Sequence, residues 1–486
     1  MSLISRRSFL ALSAGAASAP LLGGLSFAAE TDVAIVGAGA AGIAAARRIQ
    51  ALGRRAVLLE AADRLGGRCI TDTAAFGVPY DSGAHWLRAP DRNPVAKLVI
   101  GTGLEIYPTP PGQKMRIGRR NAREGELEEY LSILVRAKRA IEDGSRGKTD
   151  VSLAQVMPKD LGEWQPSVEF FLGPFAFGKD LNELSVLDYV RSNERESDAF
   201  CRQGFGTLLA KVAEGLNVQP ASPVTRINTL PRGGFTVETA KGALQARAVI
   251  VTVSTNVLAE GKLAFASGAP KRHMDAASRL RLGNYERVAL EIPGNPFGLA
   301  RDDLVFEKTD GKRTAALLAN VSGTPLSYVD IAGSFGRELA AKGPREMSAF
   351  AIEWLEKLFG ADVKKAIARS QATQWAFSPY ALGAFSAAAP GSQPQRRILM
   401  EPMFDRVFYA GEAAHETLFG TVGGAWESGE RAADAALKTL GVANVGPKQE
   451  PTASTPKQKA PRRPAPQPKA RQRRQEMPFG VPRIAN

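Results

Sequence analysis

The apolar positions just after residue 30 form two short runs separated by an alanine-rich segment. Asp32–Val36 and Val57–Leu59 are predicted to be buried strands, and Ala40–Leu52 between them is predicted to be a helix. A strand–helix–strand unit is typical of a parallel sheet with a crossover helix. The pattern therefore predicts an α/β fold at this end of the chain.

The hydrophobic pattern changes twice further along the chain. Residues 91–202 carry charged amphipathic runs such as GELEEYLSILVRAKRAIEDG, and this periodicity predicts a mainly helical region. Residues 286–395 mix strand-like runs (RVALEIPG, TAALLAN) with a helical pattern around EMSAFAIEWLEKLFG. No internal repeat is visible. The helical and strand-like runs of these two regions together favour a second, mixed α+β domain interleaved with the first.

Residues 1–28 have the pattern of a cleaved export signal. Arg6 and Arg7 precede an apolar stretch, and the small residues Ser26 and Ala28 occupy the positions that a signal peptidase recognises. The segment resembles a twin-arginine signal, which implies export of the folded protein to the periplasm by the Tat translocase, with cleavage after Ala28. The alternative is a membrane anchor, but a proline and a glycine pair interrupt a run that is already short for one.

Most of the formal net charge of +14 lies at the C-terminal end. Residues 446–486 contain ten Lys/Arg against two Glu and many prolines, so this segment is predicted to be a disordered basic tail. Without the tail and the two signal arginines, the body carries only about +4. The charge therefore does not indicate a nucleic-acid partner. The tail is either a solvated segment or one that touches an anionic surface.

The cysteines and histidines limit the chemistry further. The two cysteines, Cys69 and Cys201, exclude a disulfide framework, and the sequence does not tell whether they interact. The three histidines, His85, His273 and His415, are widely separated. No metal site is predicted.

The first strand–helix turn carries the chemistry of a dinucleotide site. Gly37, Gly39 and Gly42 form G-x-G-x-x-G, which permits a tight turn, lets the backbone approach a pyrophosphate, and packs the helix on the strand. The helix then offers the N–H groups of Ala40 and Ala41 to that pyrophosphate. Glu60, followed by Ala61, ends the second strand and can accept hydrogen bonds from a ribose. The remaining choice is between NAD and FAD.

The residues after Glu60 decide between the two cofactors. EAADRLGGRCITD places Gly67 and Arg68 just beyond the acid, FGVPYDSGAHWLRAPDRNPVAKL follows, and DRVFYAGEAAHETLFGTVGGAWESGERAADAAL closes the pattern. In this order the stretches resemble the flavin amine oxidase superfamily, which includes polyamine, monoamine and L-amino-acid oxidases. The resemblance covers most of residues 31–440, and it implies bound FAD.

The resemblance also implies a domain plan and further cofactor contacts. A discontinuous Rossmann-like FAD domain would comprise residues 31–90, 203–285 and 396–440, with a substrate domain at 91–202 and 286–395. Six positions beyond the glycine motif would contact FAD: Arg68 at the diphosphate, Val224 at the adenine, Gly411 and Glu412 at the ribitol, and a helix N-terminus at Thr421 and Val422 beside the flavin ring.

Two positions match the aromatic walls that flank the amine in the family. Phe385 aligns with one wall, although it could equally be a core residue, and Thr421 takes the place of the opposite aromatic wall of monoamine oxidases. The cysteine that links flavin in monoamine oxidases would fall near Gly383 and Ala384, where this chain has none. The FAD is therefore predicted to be non-covalent.

Two arginines depart from the family pattern. Arg287 stands where the family has the lysine that holds a water against flavin N5, and Arg88 stands where polyamine oxidases have a histidine. The carboxylate-binding arginine of L-amino-acid oxidases would fall near Trp86. Two guanidinium groups could therefore face the site and bind a carboxylate bidentately. Alternatively, one or both turn away into surface ion pairs.

The function implied by the resemblance is oxidation of a small amine. A hydride would pass from the carbon next to nitrogen to flavin N5, the imine would hydrolyse, and the electrons would go to O₂, giving H₂O₂, or to a periplasmic carrier. Two other readings stay open: a flavin-dependent desaturase or porphyrinogen-type oxidase, and a flavin-binding protein without turnover.

Overall fold

The computed structural model describes residues 30–192, 197–266, 268 and 270–442. The predicted export signal and the predicted basic tail lie outside these described residues. Within them, no helix combines the length and the apolar character needed to cross a bilayer.

Twenty strands are present in the described part of the chain. In chain order, β1 to β20 are Glu30–Val36, Ala56–Leu59, Thr71–Asp72, Tyr80–Asp81, Leu87–Arg88, Ile106–Pro108, Lys114–Ile117, Arg120–Asn121, Asp198–Cys201, Val218–Gln219, Val224–Thr229, Phe235–Thr239, Gly242–Val251, Ala264–Phe265, Tyr285–Glu291, Asp303–Glu307, Ala316–Ala319, Leu326–Ala332, Arg369–Ala372 and Val407–Tyr409.

The same residues form fourteen α-helices and several single turns of 3₁₀- or π-helix. In chain order, α1 to α14 are Ala40–Ala51, Pro94–Lys97, Glu124–Gly144, Leu153–Val156, Gln165–Phe170, Val186–Arg191, Phe205–Val212, Thr255–Ala259, Lys271–Arg279, Gly333–Ala341, Pro344–Phe359, Val363–Ala366, Gln395–Met400 and Val422–Thr439.

The first sheet is the α/β layer that the sequence predicts. Its strand order is β10-β2-β1-β13-β12-β11-β14, and β20 pairs with the C-terminal part of β13. β1 lies parallel to both β2 and β13, with α1 as the connection between β1 and β2. β12 and β11 continue the sheet as an antiparallel extension. The α/β fold class is confirmed.

Both faces of this sheet are covered. Alternate residues of β1 point to opposite sides, so Val33 and Ile35 pack with α1 and α14, whereas Ala34 and Val36 belong to a second core. A parallel sheet covered on both faces is buried throughout, which explains the continuous apolar run of β1. Its strand ends and the loops after them remain free to form a site.

A second sheet, of order β19-β15-β18-β17-β16-β7-β8, belongs to the interleaved region. Helix α11 packs on it through Met347, Phe350 and Trp354. The strands β6 to β9 all lie within residues 91–202. The prediction of a mainly helical segment there was therefore incomplete. Strands of two to four residues are too short to show a recognisable alternation of apolar and polar positions.

Candidate active site

A cavity of about 490 Å³ lies at the carboxyl ends of the parallel strands of the first sheet. Its lining includes the residues that directly follow β1, β2, β13 and β20. This is the edge at which open α/β sheets bind ligands. The same cavity is lined by residues of β15 and of the loop after β19, so it reaches from the first sheet into the second layer.

The glycine turn after β1 is held by close backbone packing. Gly37 has a φ of +106°, and a side chain on Gly42 would place its Cβ only 2.0 Å from the Gly37 carbonyl oxygen. A Cβ on Gly67 would lie 3.2 Å from the Cα of Gly39, so the loop after β2 presses directly on the turn. These positions need glycine because the backbone itself occupies the space of a side chain.

Two helices begin at the cavity. α1 starts after Gly39, which supplies no side-chain cap, and its first turn contains no acidic residue. α14 starts after Thr421, whose hydroxyl accepts a hydrogen bond from the Gly424 N–H at 2.9 Å, and its first turn also lacks an acid. The remaining N–H groups and the positive ends of both helix dipoles favour an anionic ligand between them.

Two buried carboxylates organise the cavity wall. Glu60 accepts hydrogen bonds from the backbone N–H of Ala38 at 2.7 Å and of Ala62 at 2.8 Å. Glu412 accepts from the guanidinium of Arg68 at 3.1 Å and from the Ser386 hydroxyl at 2.7 Å. Both acids are therefore held in place by the loops that surround the cavity.

Arg287 lines the cavity but is fully engaged in the protein. Its Nε and Nη2 donate to Asp330 at 2.8 and 3.1 Å, and its Nη1 donates to the carbonyl oxygens of Asp81 and Gly83 at 2.8 and 3.2 Å. Burial alone would lower the pKa of Arg287, but the neighbouring Asp330 carboxylate outweighs burial and raises it. The guanidinium is a permanent cation bound to a carboxylate of the protein itself.

Arg88 is not among the residues that line the cavity. Its Nη1 donates to Asp198 at 2.6 Å, both side chains are about 1% exposed, and its guanidinium stacks 5.1 Å from the ring of Trp86. The expectation that two guanidinium groups face the site is therefore corrected, because Arg88 turns into a buried ion pair. Trp86 itself lines the cavity.

Aromatic rings form another part of the cavity wall. Tyr285 and Phe385 lie 5.9 Å apart between ring centroids. A side chain on Gly420 would touch the Phe385 ring at 3.4 Å, so the chain closes on this ring just before Thr421. Of these two residues, the sequence indicated Phe385 and did not indicate Tyr285.

Most of the predicted site residues meet at this one cavity. Those that line it are Gly37, Gly39, Ala40, Ala41, Glu60, Ala61, Gly67, Arg68, Trp86, Val224, Arg287, Phe385, Gly411, Glu412, Thr421 and Val422. Gly42 supports the turn from behind. The roles assigned to these residues stay predictions, since their placement alone does not test them.

Several lining residues escaped the sequence analysis: Arg64, Cys69, His85, Lys262, Tyr285, Trp375 and Tyr380. Trp375 and Tyr380 lie shortly before Phe385 in the sequence. Their nearness in sequence to a predicted wall residue was therefore the available signal. His85 Nδ1 donates to the Asp81 carboxylate at 2.7 Å, and the His85 ring stacks on Phe200 at 4.4 Å, away from solvent.

Comparison with known sequences assigns the chain to a class. The sequence profile described as flavin containing amine oxidoreductase matches residues 40–437, which is most of the chain. The protein belongs to the flavin-containing amine oxidoreductase family. It is an oxidoreductase of this class, and its cofactor is FAD.

Individual relatives are distant. Lysine-specific histone demethylase 1 homolog 1 of Oryza sativa subsp. japonica is 27% identical over 458 residues, which cover 83% of this chain and 52% of the demethylase. The chain thus spans about half the length of that relative. Two solved structures share the fold. A wild-type putrescine oxidase bound to putrescine has a TM-score of 0.70 and 19% identity, and the match covers 84% of this chain and 99% of that oxidase. Cyclohexylamine oxidase from Brevibacterium oxydans IH-35A has a TM-score of 0.71 and 21% identity, and the match covers 85% of this chain and 99% of that oxidase.

The residues of the cavity fit FAD. The glycine cradle leaves room for a diphosphate beside the N–H groups of α1, and Glu60 lies where a ribose would need an acceptor. The N-terminus of α14 can stabilise negative charge on a flavin ring. Cys69 lines the cavity beside Arg68, but burial raises the pKa of its thiol well above the usual value, which keeps it protonated.

Replacing Glu60 by alanine is expected to weaken FAD binding by roughly 1–3 kcal/mol, because it removes a charged hydrogen-bond acceptor. The dissociation constant of FAD, measured by fluorescence titration of the apoprotein, checks this. Asp63→Ala is the matched control, since Asp63 is exposed and does not line the cavity. Unchanged affinity in Glu60→Ala would contradict the assignment, and flavin that stays with acid-precipitated protein would contradict non-covalent binding.

Proposed function

We propose that the protein oxidises an amine at the carbon next to nitrogen and releases an imine that water hydrolyses to a carbonyl compound. The observation that carries this proposal is the continuity of one cavity, which joins the dinucleotide cradle to an aromatic wall. FAD, when bound, accepts the hydride and its electron pair. The family assignment and the two oxidase structures of the same fold support the same reaction class.

The residues of the chain position the substrate. Phe385 and Tyr285 offer ring faces against which a neutral amine and its neighbouring carbon can lie. The Tyr285 hydroxyl donates to Asp330 at 2.9 Å, and burial, followed by the Asp330 charge, raises the pKa of Tyr285 well above its usual value. Tyr285 therefore acts as a neutral wall. The amine must arrive deprotonated, because its lone pair stabilises the developing imine.

The test is anaerobic mixing of the holoprotein with a panel of primary and secondary amines. Bleaching of the flavin absorbance by at least one amine is expected. A panel that leaves the absorbance unchanged would contradict amine oxidation and favour a flavin protein without turnover.

The electron acceptor is proposed to be a carrier such as a quinone rather than O₂. Arg287 donates to Asp330 and to two backbone carbonyls, so it does not offer the compact ammonium that would hold a water at this place. Slow reoxidation by oxygen is the consequence.

Arg287→Lys is expected to increase the rate at which the reduced holoprotein is reoxidised by O₂, by about tenfold or more. The shorter ammonium leaves room for a water, which the planar guanidinium fills. Stopped-flow mixing of the reduced protein with oxygenated buffer measures the rate, and reoxidation by a soluble quinone serves as the internal comparison. Rapid oxygen reaction in the wild type, unchanged in the variant, would contradict the proposal.

Export in the folded, FAD-loaded state by the Tat translocase is part of the proposal. Arg6 and Arg7 support it, and a tightly bound cofactor gives a reason for loading before export. The periplasm would then be the place of reaction.

Arg6→Lys together with Arg7→Lys is expected to leave the flavin-loaded protein in the cytoplasm, since the twin-arginine pathway requires the pair. Cell fractionation, followed by FAD fluorescence of each fraction, checks the outcome. Lys448→Arg, a basic substitution in the tail, is the control. Periplasmic accumulation of the double variant would show that the signal is of another type.

A further inference from the structure

The wall of the cavity beyond the cofactor segments is apolar. It is lined by five aromatic residues, Trp86, Tyr285, Trp375, Tyr380 and Phe385, and by His85. Trp86 Nε1 and His85 Nε2 are buried and have no hydrogen-bond partner within the described chain. The polar atoms of two of these rings are already used, because Tyr285 donates to Asp330 at 2.9 Å and the indole N–H of Trp375 donates to the Ser82 carbonyl at 2.8 Å. These two rings therefore offer carbon surface to a substrate, and such a surface favours contact with apolar groups.

The cavity has no carboxylate to spare for a second ammonium group. Among the lining residues of the described chain, the only acids are Glu60 and Glu412. Both oxygens of Glu60 accept backbone N–H groups, and Glu412 is bound by Arg68, Ser386 and the Gly420 N–H. A buried ammonium without a partner is costly. A diamine or polyamine would therefore leave its distal charge uncompensated.

The basic residues of the lining also disfavour the distal ammonium group of a diamine or polyamine. They are Arg64, Arg68, Lys262 and Arg287. The lining thus has more fixed positive than negative charge before any cofactor is bound. Arg64 and Lys262 lie beside the predicted nucleotide segments, after β2 and next to β14, and like charges in a confined cavity repel.

Among the residues that the structure describes, the aromatic end also lacks a guanidinium that could bind a substrate carboxylate. Arg287 donates four hydrogen bonds within the protein, two of them to Asp330. Arg68 donates to the Ala384 carbonyl at 2.5 Å and to Glu412. Arg88 is bound to Asp198 outside the cavity lining. An amino acid would therefore bring in a carboxylate for which the wall offers no partner.

The mouth of the cavity is apolar as well. Tyr380 lines it and is 50% exposed, and Phe377, in the same loop, is 52% exposed. Glu286 holds this loop by accepting from the N–H groups of Trp375 and Ala376, each at 2.9 Å. A fixed loop that shows aromatic rings to solvent suits the entry of an apolar molecule.

We infer that the substrate is a monoamine with an uncharged apolar body, and that polyamines and amino acids are poor substrates. The inference rests on the proposed function, since it names the class of amine that the same site oxidises. The inference distinguishes this chain from a polyamine oxidase and from an amino-acid oxidase. The reason is that the carboxylates and guanidinium groups of its cavity are already bound to groups of the protein itself.

Matched pairs of amines test the inference with the holoprotein. Hexylamine and 1,6-diaminohexane differ by one ammonium group, and 2-phenylethylamine and L-phenylalanine differ by one carboxylate. Anaerobic stopped-flow gives the rate of flavin reduction divided by the apparent dissociation constant for each. We expect each monoamine to exceed its partner at least tenfold, which corresponds to about 1.4 kcal/mol for the unpaired charge.

The outcomes are distinct. A diamine or an amino acid that reduces the flavin as efficiently as its monoamine overturns the inference and leaves the proposed function intact. Absence of reduction by both monoamines, when another amine of the wider panel bleaches the flavin, also overturns the inference, whereas absence of reduction by the whole panel overturns the proposed function.

A charge introduced at the mouth provides the second measurement. Ser378 lines the cavity and is half-buried, so Ser378→Asp adds a carboxylate there and Ser378→Asn is the uncharged control. The efficiency ratio of 1,6-diaminohexane to hexylamine is expected to rise several-fold in the aspartate variant only. A ratio that is equal in the two variants would show that missing countercharge is not what excludes the diamine.

Discussion

Replacing Asp330 by asparagine is expected to lower the free energy of unfolding by about 3–5 kcal/mol, because it leaves the buried Arg287 cation without a countercharge. The side chains of this pair are 5% and 3% exposed, and Arg287 also lies 4.3 Å over the ring of Tyr328. Arginine side chains stay protonated in proteins, so Arg287 cannot escape the loss by releasing its proton once the carboxylate is gone. Urea unfolding of the holoprotein at a fixed FAD concentration measures the change.

Two further variants separate the ion pair from general damage to the core. Asp362→Asn removes an exposed pair with Lys365 and is expected to leave unfolding almost unchanged, because exposed pairs contribute little. Arg287→Met combined with Asp330→Leu removes both charges, and the protein should then be more stable than Asp330→Asn alone. A single variant as stable as the wild type would show that the Arg287 charge is compensated by other groups.

The cofactor half of the site could be predicted because its chemistry is local in sequence. Gly37, Gly39 and Gly42 are separated by fixed short spacings, and Glu60 ends the next strand of the same unit. The parallel pairing of β1 with β2 then brings the acid beside the glycine turn. Spacing was enough here because one helical connection determines the geometry.

The two arginines could not be placed in this way, because their partners come from strand register. Arg287 on β15 lies directly opposite Asp330 on β18, and Arg88 on β5 lies directly opposite Asp198 on β9. Opposite charges facing each other across an antiparallel pair attract strongly when buried. The pairing of strands far apart in the chain is set by packing, and a shift of one residue would have pointed each side chain to the other face.

The aromatic wall was foreseen only in part for a related reason. Phe385 lies in a stretch with a recognisable pattern, whereas Tyr285 and Trp375 reach the cavity through the second sheet and its adjoining loop. Glu286 fixes that loop through buried hydrogen bonds to the Thr373 hydroxyl and to the backbone of Trp375. Contacts of this kind have no signature in a single sequence.

Gly429→Ala is expected to destabilise the protein by about 1–3 kcal/mol and to weaken FAD binding at least tenfold, although alanine is the better helix former. A Cβ on Gly429 would lie 2.1 Å from the Ala41 carbonyl oxygen, so the new methyl group would force α14 away from α1. Both helices begin at the cavity, and their separation would displace the N–H groups that are predicted to face the anionic cofactor.

Gly125→Ala is the matched control for this prediction. Gly125 lies in the first turn of α3, and nothing lies within 4 Å of the position that its Cβ would take. The same substitution there should leave FAD binding unchanged and stabilise the helix slightly, by up to about 1 kcal/mol. Unfolding curves and FAD titrations of the two variants therefore isolate the effect of the helix contact. If Gly429→Ala behaves like Gly125→Ala, close packing of α1 on α14 does not position the cofactor site.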